Sequence, residues 1–85
     1  MQLFKVQTIP QFKIQSFLIK EGLQPEAVAA FDFPSRNSVR ITDVQGSTMT
    51  VTYSEPGKYD FLYLIRGVTS QETRYDEWET PNESR

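Results

Sequence analysis

The side chains that could do chemistry in this chain are carboxylates, because its 85 residues include neither histidine nor cysteine. Without histidine the commonest general base is missing, and the Ser–His and Cys–His pairs that activate nucleophiles cannot form. Asp60 could face the interior of an apolar strand, where burial would raise its pKa, or lie at a solvent-exposed rim, which we favour. Three other carboxylates before residue 69 are candidates because of their positions: Asp32, Asp43 and Glu55. No paired spacing marks a glycosidase-like dyad, so we expect a protein that is not an enzyme.

Metal and cofactor sites also lack a sequence signature. The absence of cysteine excludes thiolate ligands, and no D-x-D-x-D-G cluster offers oxygen ligands to calcium. The four glycines are scattered along the chain, which excludes a glycine-rich loop around a phosphate group. We therefore expect no cofactor and no metal.

Aromatic and acidic residues near the C-terminus have the composition of a protein-binding segment. The candidate binding residues are Tyr75, Trp78, Glu72, Asp76, Glu77 and Glu79. Aromatic anchors with a charged rim are typical of interface hot spots and of segments that fold on binding. The two aromatic rings could instead complete the small core of the chain itself. Residues 69–85 carry five acidic residues against two arginines, which predicts an acidic C-terminal tail or a last edge strand.

Basic residues offer an alternative surface for nucleic acid. The cations that could line one face are Lys5, Lys13, Lys20, Arg36, Arg40, Lys58 and Arg66, with Phe4, Phe12 or Phe17 as stacking platforms. However, the net charge is -2 and the cations form no cluster in the sequence. We therefore favour ordinary strand-exterior charges and core phenylalanines.

The elements that would position these residues are mainly strands, most clearly over residues 48–65. Met49, Val51 and Tyr53 alternate with threonines, which predicts a half-buried strand. The residues Glu55-Pro56-Gly57-Lys58 then fit a type II turn, in which Gly57 takes a positive φ. The strand that follows has apolar residues on both faces, which predicts a central strand covered on both sides.

The first half of the chain is more ambiguous. Alternation from Leu3 to Thr8 predicts a strand. For residues 12–19 we favour a strand, and the rival is a helix from Pro10 to Glu21 with one apolar face. That face would contain Ile14, Phe17 and Leu18. Glu21-Gly22 ends this segment in either interpretation.

The middle of the chain repeats the same ambiguity. Ala27 to Ala30 favours a short helix by propensity, although the alternation that continues to Phe33 also fits a strand. Residues 33–38 have the composition of a loop. A strand from Val39 to Val44 then turns at Gln45-Gly46-Ser47 into the hairpin, whose second strand ends at Gly67.

These elements predict a mostly β fold of up to seven short strands. We expect a small antiparallel β-sandwich, immunoglobulin-like, or a small barrel, with room for one short helix within residues 10–32. Residues 1–68 would form a single β-rich domain, and residues 69–85 the acidic tail or last edge strand.

The turn region resembles a known family of repeats. Tyr53, Pro56, Gly57 and Tyr59 form a Y-x-x-P-G-x-Y stretch, which is similar to the strand-turn-strand signature of immunoglobulin-like modules of the polycystic-kidney-disease-repeat type. The resemblance implies a binding or structural module and carries over no active site.

Together these features favour a non-catalytic accessory protein that docks on a larger protein assembly. A viral or phage decoration or assembly subunit and a small protein inhibitor are two concrete versions, and the alternative is a small-barrel nucleic-acid-binding protein. A protein partner is expected, and a second copy of the chain is a further candidate. No apolar run is long enough to cross a membrane, and the first residues lack the layout of a signal peptide, so we expect a cytoplasmic protein, in the host cytoplasm or virion if viral.

Overall fold

The computed structural model describes residues 2–76, which form one helix packed on a single antiparallel sheet. Helix α1 (Ile9–Lys20) is followed by a single 3₁₀ turn (Pro25–Ala27). The strands are β1 (Val28–Asp32), β2 (Ser38–Asp43), β3 (Thr48–Ser54), β4 (Lys58–Ile65) and β5 (Val68–Tyr75). Each strand pairs with its neighbour in sequence, so β1 and β5 are the edges. The mostly β fold with one short helix is therefore confirmed.

Helix α1 occupies the segment for which we favoured a strand, so that interpretation is wrong and the rival helix is correct. The Thr8 hydroxyl caps it by accepting a hydrogen bond from the Gln11 N–H at 3.2 Å, and Pro10 lies in the first turn. Ile14, Phe17 and Leu18 are buried on one face. The alternation of Phe12 with Ile14 misled the prediction, because Phe12 is 56% exposed on the opposite side.

The N-terminal segment does not form the predicted strand. Instead, the buried Gln15 side chain of α1 accepts hydrogen bonds from the backbone N–H groups of Leu3 and Phe4, at 2.7 and 3.1 Å. At the other end of α1, the N–H groups of Gly22 and Leu23 donate to Ile19 and Leu18, both at 3.0 Å. This is the hydrogen-bond pattern of a Schellman cap, and it confirms that the segment ends at Glu21-Gly22.

The core lies between α1 and one face of the sheet, which we call the inner face; the opposite one is the outer face. The inner face contributes Val39, Ile41, Val51, Tyr53, Tyr59 and Phe61. The expected second sheet or closed barrel is not found in residues 2–76, where α1 supplies the second layer. The reason is that two of the predicted strands are the N-terminal segment and the helix.

The hairpin of β3 and β4 follows the prediction closely. Ser54 pairs with Lys58, which leaves Glu55, Pro56 and Gly57 as the loop. Gly57 has a φ of 67°, the positive value predicted for it, and the Glu55–Pro56 peptide bond is cis. The hairpin of β2 and β3 is also confirmed, with its strands within one residue of the predicted bounds.

Strand β4 is central but is covered on one face only. Tyr59 and Phe61 are buried beneath α1, whereas Leu62 and Leu64 on the outer face are 41% and 44% exposed. The prediction of cover on both sides is therefore wrong for the described residues. Alternation placed the side chains correctly, but nothing in residues 2–76 packs over the second face.

Candidate protein-binding site

Exposed apolar side chains concentrate on the last hairpin. Of the eight large hydrophobic residues that are exposed within residues 2–76, five lie on β4 or β5: Leu62, Leu64, Ile65, Val68 and Tyr75. Four of these, Leu62, Leu64, Ile65 and Val68, lie next to the two-residue turn Arg66-Gly67, and we call these four residues the hairpin end. Apolar residues grouped in this way mark an interaction surface more often than single exposed side chains do.

The hairpin end is apolar on both faces of the sheet. Ile65 pairs with Val68 in the register of β4 and β5, and both extend the inner face beyond Tyr63. Leu62 and Leu64 lie on the outer face by alternation. Ile65 and Val68 are 49% and 66% exposed on the inner face, and Leu62 and Leu64 are 41% and 44% exposed on the outer face, so both faces are open to solvent.

The position of α1 explains why the hairpin end is uncovered. The helix crosses the opposite end of the sheet, where the Lys20 ammonium lies 3.3 Å from the Asp76 carboxylate just after β5. The turn at Arg66-Gly67, with φ values of 52° and 78°, is at the far end of β4 and β5. Two positive φ values in a two-residue loop match the twist of the flanking strands, so β4 and β5 stay in regular register up to the turn.

An apolar groove adjoins the hairpin end on the inner face. Its volume is about 210 Å³, and the apolar side chains that line it are Leu23, Val28, Ile41, Met49, Tyr63 and Ile65. Methionine adapts its shape to irregular neighbours, which suits a surface that accepts a foreign side chain. The groove and the hairpin end thus form one continuous apolar surface.

The outer face beside Leu62 is polar but nearly neutral. A shallow hollow of about 190 Å³ is lined there by Thr50, Thr52, Asp60, Phe61, Leu62, Gln71, Glu72 and Thr73. The Thr73 hydroxyl donates a hydrogen bond to Asp60 at 2.7 Å, and the Lys58 ammonium lies 4.0 Å from the same carboxylate. Asp60 is therefore the half-exposed rim aspartate that we favoured.

Of the six predicted binding residues, Tyr75, Glu72 and Asp76 lie within the described residues 2–76. Tyr75 is 60% exposed at the end of β5. Glu72 lies on the inner face and accepts hydrogen bonds from the Tyr63 hydroxyl and from Arg74 Nε, each at 2.9 Å. Asp76 is paired with Lys20, so neither carboxylate is an unpaired rim charge. Trp78, Glu77 and Glu79 lie outside the described residues.

The charges around β5 form a local network that ties it to the helix. Arg74 Nη1 donates to Glu21 at 2.6 Å, and its guanidinium lies 5.2 Å from the centre of the Phe61 ring. The hydrogen bond from Arg74, followed by that from Tyr63, lowers the pKa of Glu72. Burial, followed by the hydrogen bond to Glu72, raises the pKa of Tyr63. This network holds β5 in place and offers no acid–base pair in a cleft.

Pro56 and Gly57 have a structural role. Their loop lies at the opposite end of β4 from the hairpin end, and the N–H of Gly57 donates to the Tyr53 hydroxyl at 3.3 Å. Gly57 itself is buried. Two of the four residues that support the family resemblance therefore shape a turn next to the core.

Two of the three stacking platforms of the alternative nucleic-acid surface are not accessible to bases, whereas Phe12 is exposed. Phe4 and Phe17 are buried in the core and cannot stack on bases. Three of the cations are close to carboxylates of the same chain: Lys20 with Asp76, Arg40 with Asp32, and Lys58 with Asp60.

Two further features can be stated for the described part of the chain. No group of three or more His, Cys, Asp or Glu side chains in residues 2–76 could hold a metal ion. Within the same residues, α1 is too short and too polar to cross a bilayer.

A comparison with known protein families, curated proteins and solved structures finds no match. The resemblance of Tyr53–Tyr59 to immunoglobulin-like repeats therefore stays a prediction. Functional inference for this protein depends on its own surfaces.

Sequence reasoning missed the hairpin end, although one signal for it was present. Leu62 and Leu64 were recognised as a second apolar face of β4, but their cover was assigned to the chain itself. Val68 was placed at the end of the β-rich domain, and Arg66-Gly67 was not recognised as a hairpin turn between two strands.

Proposed function

We propose that this protein is a non-catalytic accessory protein that docks on a partner protein through its hairpin end. The observation that carries the proposal is the presence of exposed apolar side chains on both faces of one hairpin. Leu62 and Leu64 occupy the outer face and Ile65 and Val68 the inner face, without cover from residues 2–76. A strand that is apolar on both faces is normally buried on both, and here the partner would supply the missing cover.

The energy available from such docking is substantial. Fully burying one Leu, Ile or Val side chain contributes roughly 1.5–3 kcal/mol. The four side chains are already partly covered, so each would contribute a fraction of that value. Their sum is still comparable to the contribution of a hot-spot cluster, which is about 2 kcal/mol or more for each central residue.

The chemistry of the surface favours a protein partner with an apolar cleft. The cleft would contact both faces of the hairpin end, and the groove beside Met49 could accept one apolar side chain of the partner. Arg66 at the tip suits a carboxylate or carbonyl group at the end of that cleft. Nucleic acid is a weaker candidate, because phosphate binding needs several cations and, among residues 2–76, Arg66 is the only one next to the hairpin end.

Viral or phage decoration, virion assembly and enzyme inhibition are all forms of such docking, and each remains a proposal. They differ in the partner, which would be a capsid lattice, an assembly intermediate or an enzyme cleft. Identification of the crosslinked partner would choose among them.

Site-specific photo-crosslinking in the cells that normally make the protein tests the proposal. A photoreactive residue replaces Leu64, and a matched variant carries it at Ile9, which is 72% exposed at the start of α1. We expect a discrete adduct from position 64 that is absent from position 9. Introducing Val68→Thr into the position-64 variant should weaken that adduct.

Equal labelling from both positions, or no adduct from position 64, would contradict docking by the hairpin end. An adduct of twice the mass of the chain would instead show that a second copy occupies this surface. Mass spectrometry of the adduct separates these outcomes.

A further inference from the structure

We infer that the edge of β5, which no other strand of residues 2–76 pairs with, pairs with β5 of a second copy, antiparallel and centred on Thr73. This inference concerns the backbone at the edge of the sheet, and it does not require that the hairpin end docks on a partner. The two copies would form one continuous sheet with both α1 helices on the same face.

The free backbone groups of β5 can be identified from the hydrogen bonds beside it. The N–H of Asp76 donates to the carbonyl of Gly57 at 2.8 Å. Hydrogen-bonded pairs alternate along an antiparallel ladder, so Arg74, Glu72, Ser70 and Val68 bond to β4. The N–H and C=O groups of Thr69, Gln71, Thr73 and Tyr75 therefore point away from β4, along the open edge.

Strand β5 has neither the short length nor the shifted register that protects β1 from pairing. Strand β1 has five residues, and its register with β2 shifts between Val28 and Ala30. Strand β5 has eight residues in unbroken register with β4, and it contains no proline. A long regular edge with free N–H and C=O groups is a template for another strand.

The charges on β5 select one register. The outward-pointing backbone groups of one copy face those of the other only when the two-fold axis passes through a residue of β5. Centring on Glu72 would place Glu72 opposite itself, and centring on Arg74 would place Arg74 opposite itself; like charges directly opposite destabilise a sheet. Only centring on Thr73 places Glu72 of each copy opposite Arg74 of the other.

The register centred on Thr73 gives hydrogen-bond partners to the outward backbone groups of three residues in each copy. Thr73 pairs with Thr73 of the second copy, and Gln71 pairs with Tyr75, so the outward backbone groups of these three residues are satisfied. Glu72 and Arg74 form the closer, non-hydrogen-bonded pairs on the inner face, where Arg74 already contacts Glu72 of its own chain at 2.9 Å. The result is a ring of four alternating charges across the two-fold axis.

A cysteine scan along the edge tests both the pairing and its register. The chain has no cysteine of its own, so each variant carries a single thiol: Thr69→Cys, Gln71→Cys, Thr73→Cys or Tyr75→Cys. At the two-fold axis the Cα atoms would be about 5.5 Å apart, a distance that a disulfide can span. At position 69 they would be separated by eight residues of strand, roughly 27 Å. We expect a covalent dimer from Thr73→Cys under mild oxidation and none from Thr69→Cys.

A charge-reversal pair gives an independent test. Glu72→Arg puts arginines opposite each other, and Arg74→Glu does the same with glutamates, so each variant alone should dimerise at least about tenfold more weakly than the native chain. Mixed together, the two variants restore opposite charges at both pairs and should form a heterodimer. Light scattering reports the mass, and circular dichroism confirms that each variant is folded.

A proline variant tests the pairing of β5 even if the charge-reversal variants do not fold. Gln71→Pro removes an N–H that β4 does not use, so the monomer should fold while dimerisation is lost. Glu72→Pro is the matched control, because it removes an N–H that bonds to β4 and should lower the melting temperature.

Several results would overturn the inference. A native chain that stays monomeric at all concentrations would do so, as would crosslinking that is equal at positions 69 and 73. Preferential crosslinking at position 71 would disprove the register. A monomer in which the amides of Gln71 and Thr73 exchange slowly would show that residues 77–85, and not a second copy, occupy the edge.

Discussion

The Phe17 ring lies parallel to the Tyr59 ring, with centroids 4.1 Å apart and an interplanar angle of 8°. Phe17 belongs to α1 and Tyr59 to β4, and both are buried. The Tyr59 hydroxyl also donates to the backbone carbonyl of Lys13 at 3.3 Å. One stacked pair and one hydrogen bond thus join the helix to the start of β4, and they help to hold α1 at the end of the sheet away from the hairpin end.

Removal of the Phe17 ring should therefore destabilise the whole domain. We expect Phe17→Ala to lower the free energy of unfolding by about 3–5 kcal/mol, which is enough to unfold a domain of this size. Phe12→Ala is the matched control on the same helix, and it should cost less than about 1 kcal/mol because Phe12 is mostly exposed. Urea titration followed by far-UV circular dichroism measures both. Similar losses for the two variants would show that α1 is not seated as described.

The helix shows why the sequence alone left the first half of the chain ambiguous. Ile14, Phe17 and Leu18 fit the helical period, but Phe12 and Ile14 fit the period of a strand equally well. The deciding contacts are not local: Gln15 bonds to Leu3 and Phe4, and Phe17 stacks on Tyr59. The hairpins of β2, β3 and β4, in contrast, were predictable because turn residues and alternation agree there.

The loop at Gly57 gives a second prediction. Gly57 is buried and holds a φ of 67°, a conformation that costs most residues about 1 kcal/mol or more and a β-branched one still more. We expect Gly57→Val to lower the free energy of unfolding by more than about 1 kcal/mol. Gly57→Asn should lose less, because asparagine tolerates this region. Thermal unfolding of the two variants tests this, and an unchanged midpoint for Gly57→Val would contradict the geometry of the loop.

Neighbouring residues on β4 should differ sharply in their effects. Phe61 is 4% exposed and Leu62 is 41% exposed. Phe61→Ala should cost roughly 3–5 kcal/mol of stability, whereas Leu62→Ala should cost less than about 1 kcal/mol and should weaken docking by the hairpin end. Chemical denaturation and the photo-crosslinking yield from position 64 separate the two effects. A large loss of stability in Leu62→Ala would show that the outer face is buried.

The candidate site was less predictable than the fold, for a physical reason. Alternation reveals which face of β4 a residue lies on, but not what covers that face. Leu62 and Leu64 would have the same pattern beneath a second sheet, beneath a partner or in solvent. The acidic residues were difficult for a related reason. Glu72 and Asp76 have the composition of a free rim, yet Glu72 bonds to Tyr63 on the neighbouring strand and to Arg74 two residues along β5. Asp76 is paired with Lys20 of α1.

The last prediction concerns acid. Arg74 and Tyr63 lower the folded-state pKa of Glu72 below its ordinary value of 4.5. A lowered pKa means that the ionised carboxylate stabilises the folded state above pH 4.5, and that this contribution is lost as pH falls through the folded pKa. Glu72→Gln should therefore melt below the native chain at neutral pH, and the gap in Tm should shrink as pH falls below 4.5. The matched comparison is the double variant Tyr63→Phe/Glu72→Gln against Tyr63→Phe. Its gap in Tm should also shrink with acid but start smaller, because the hydrogen bond from the Tyr63 hydroxyl is already gone. Melting curves at concentrations where the mass is monomeric provide the measurement, and a gap that does not change between neutral and acidic pH would refute the role of Arg74.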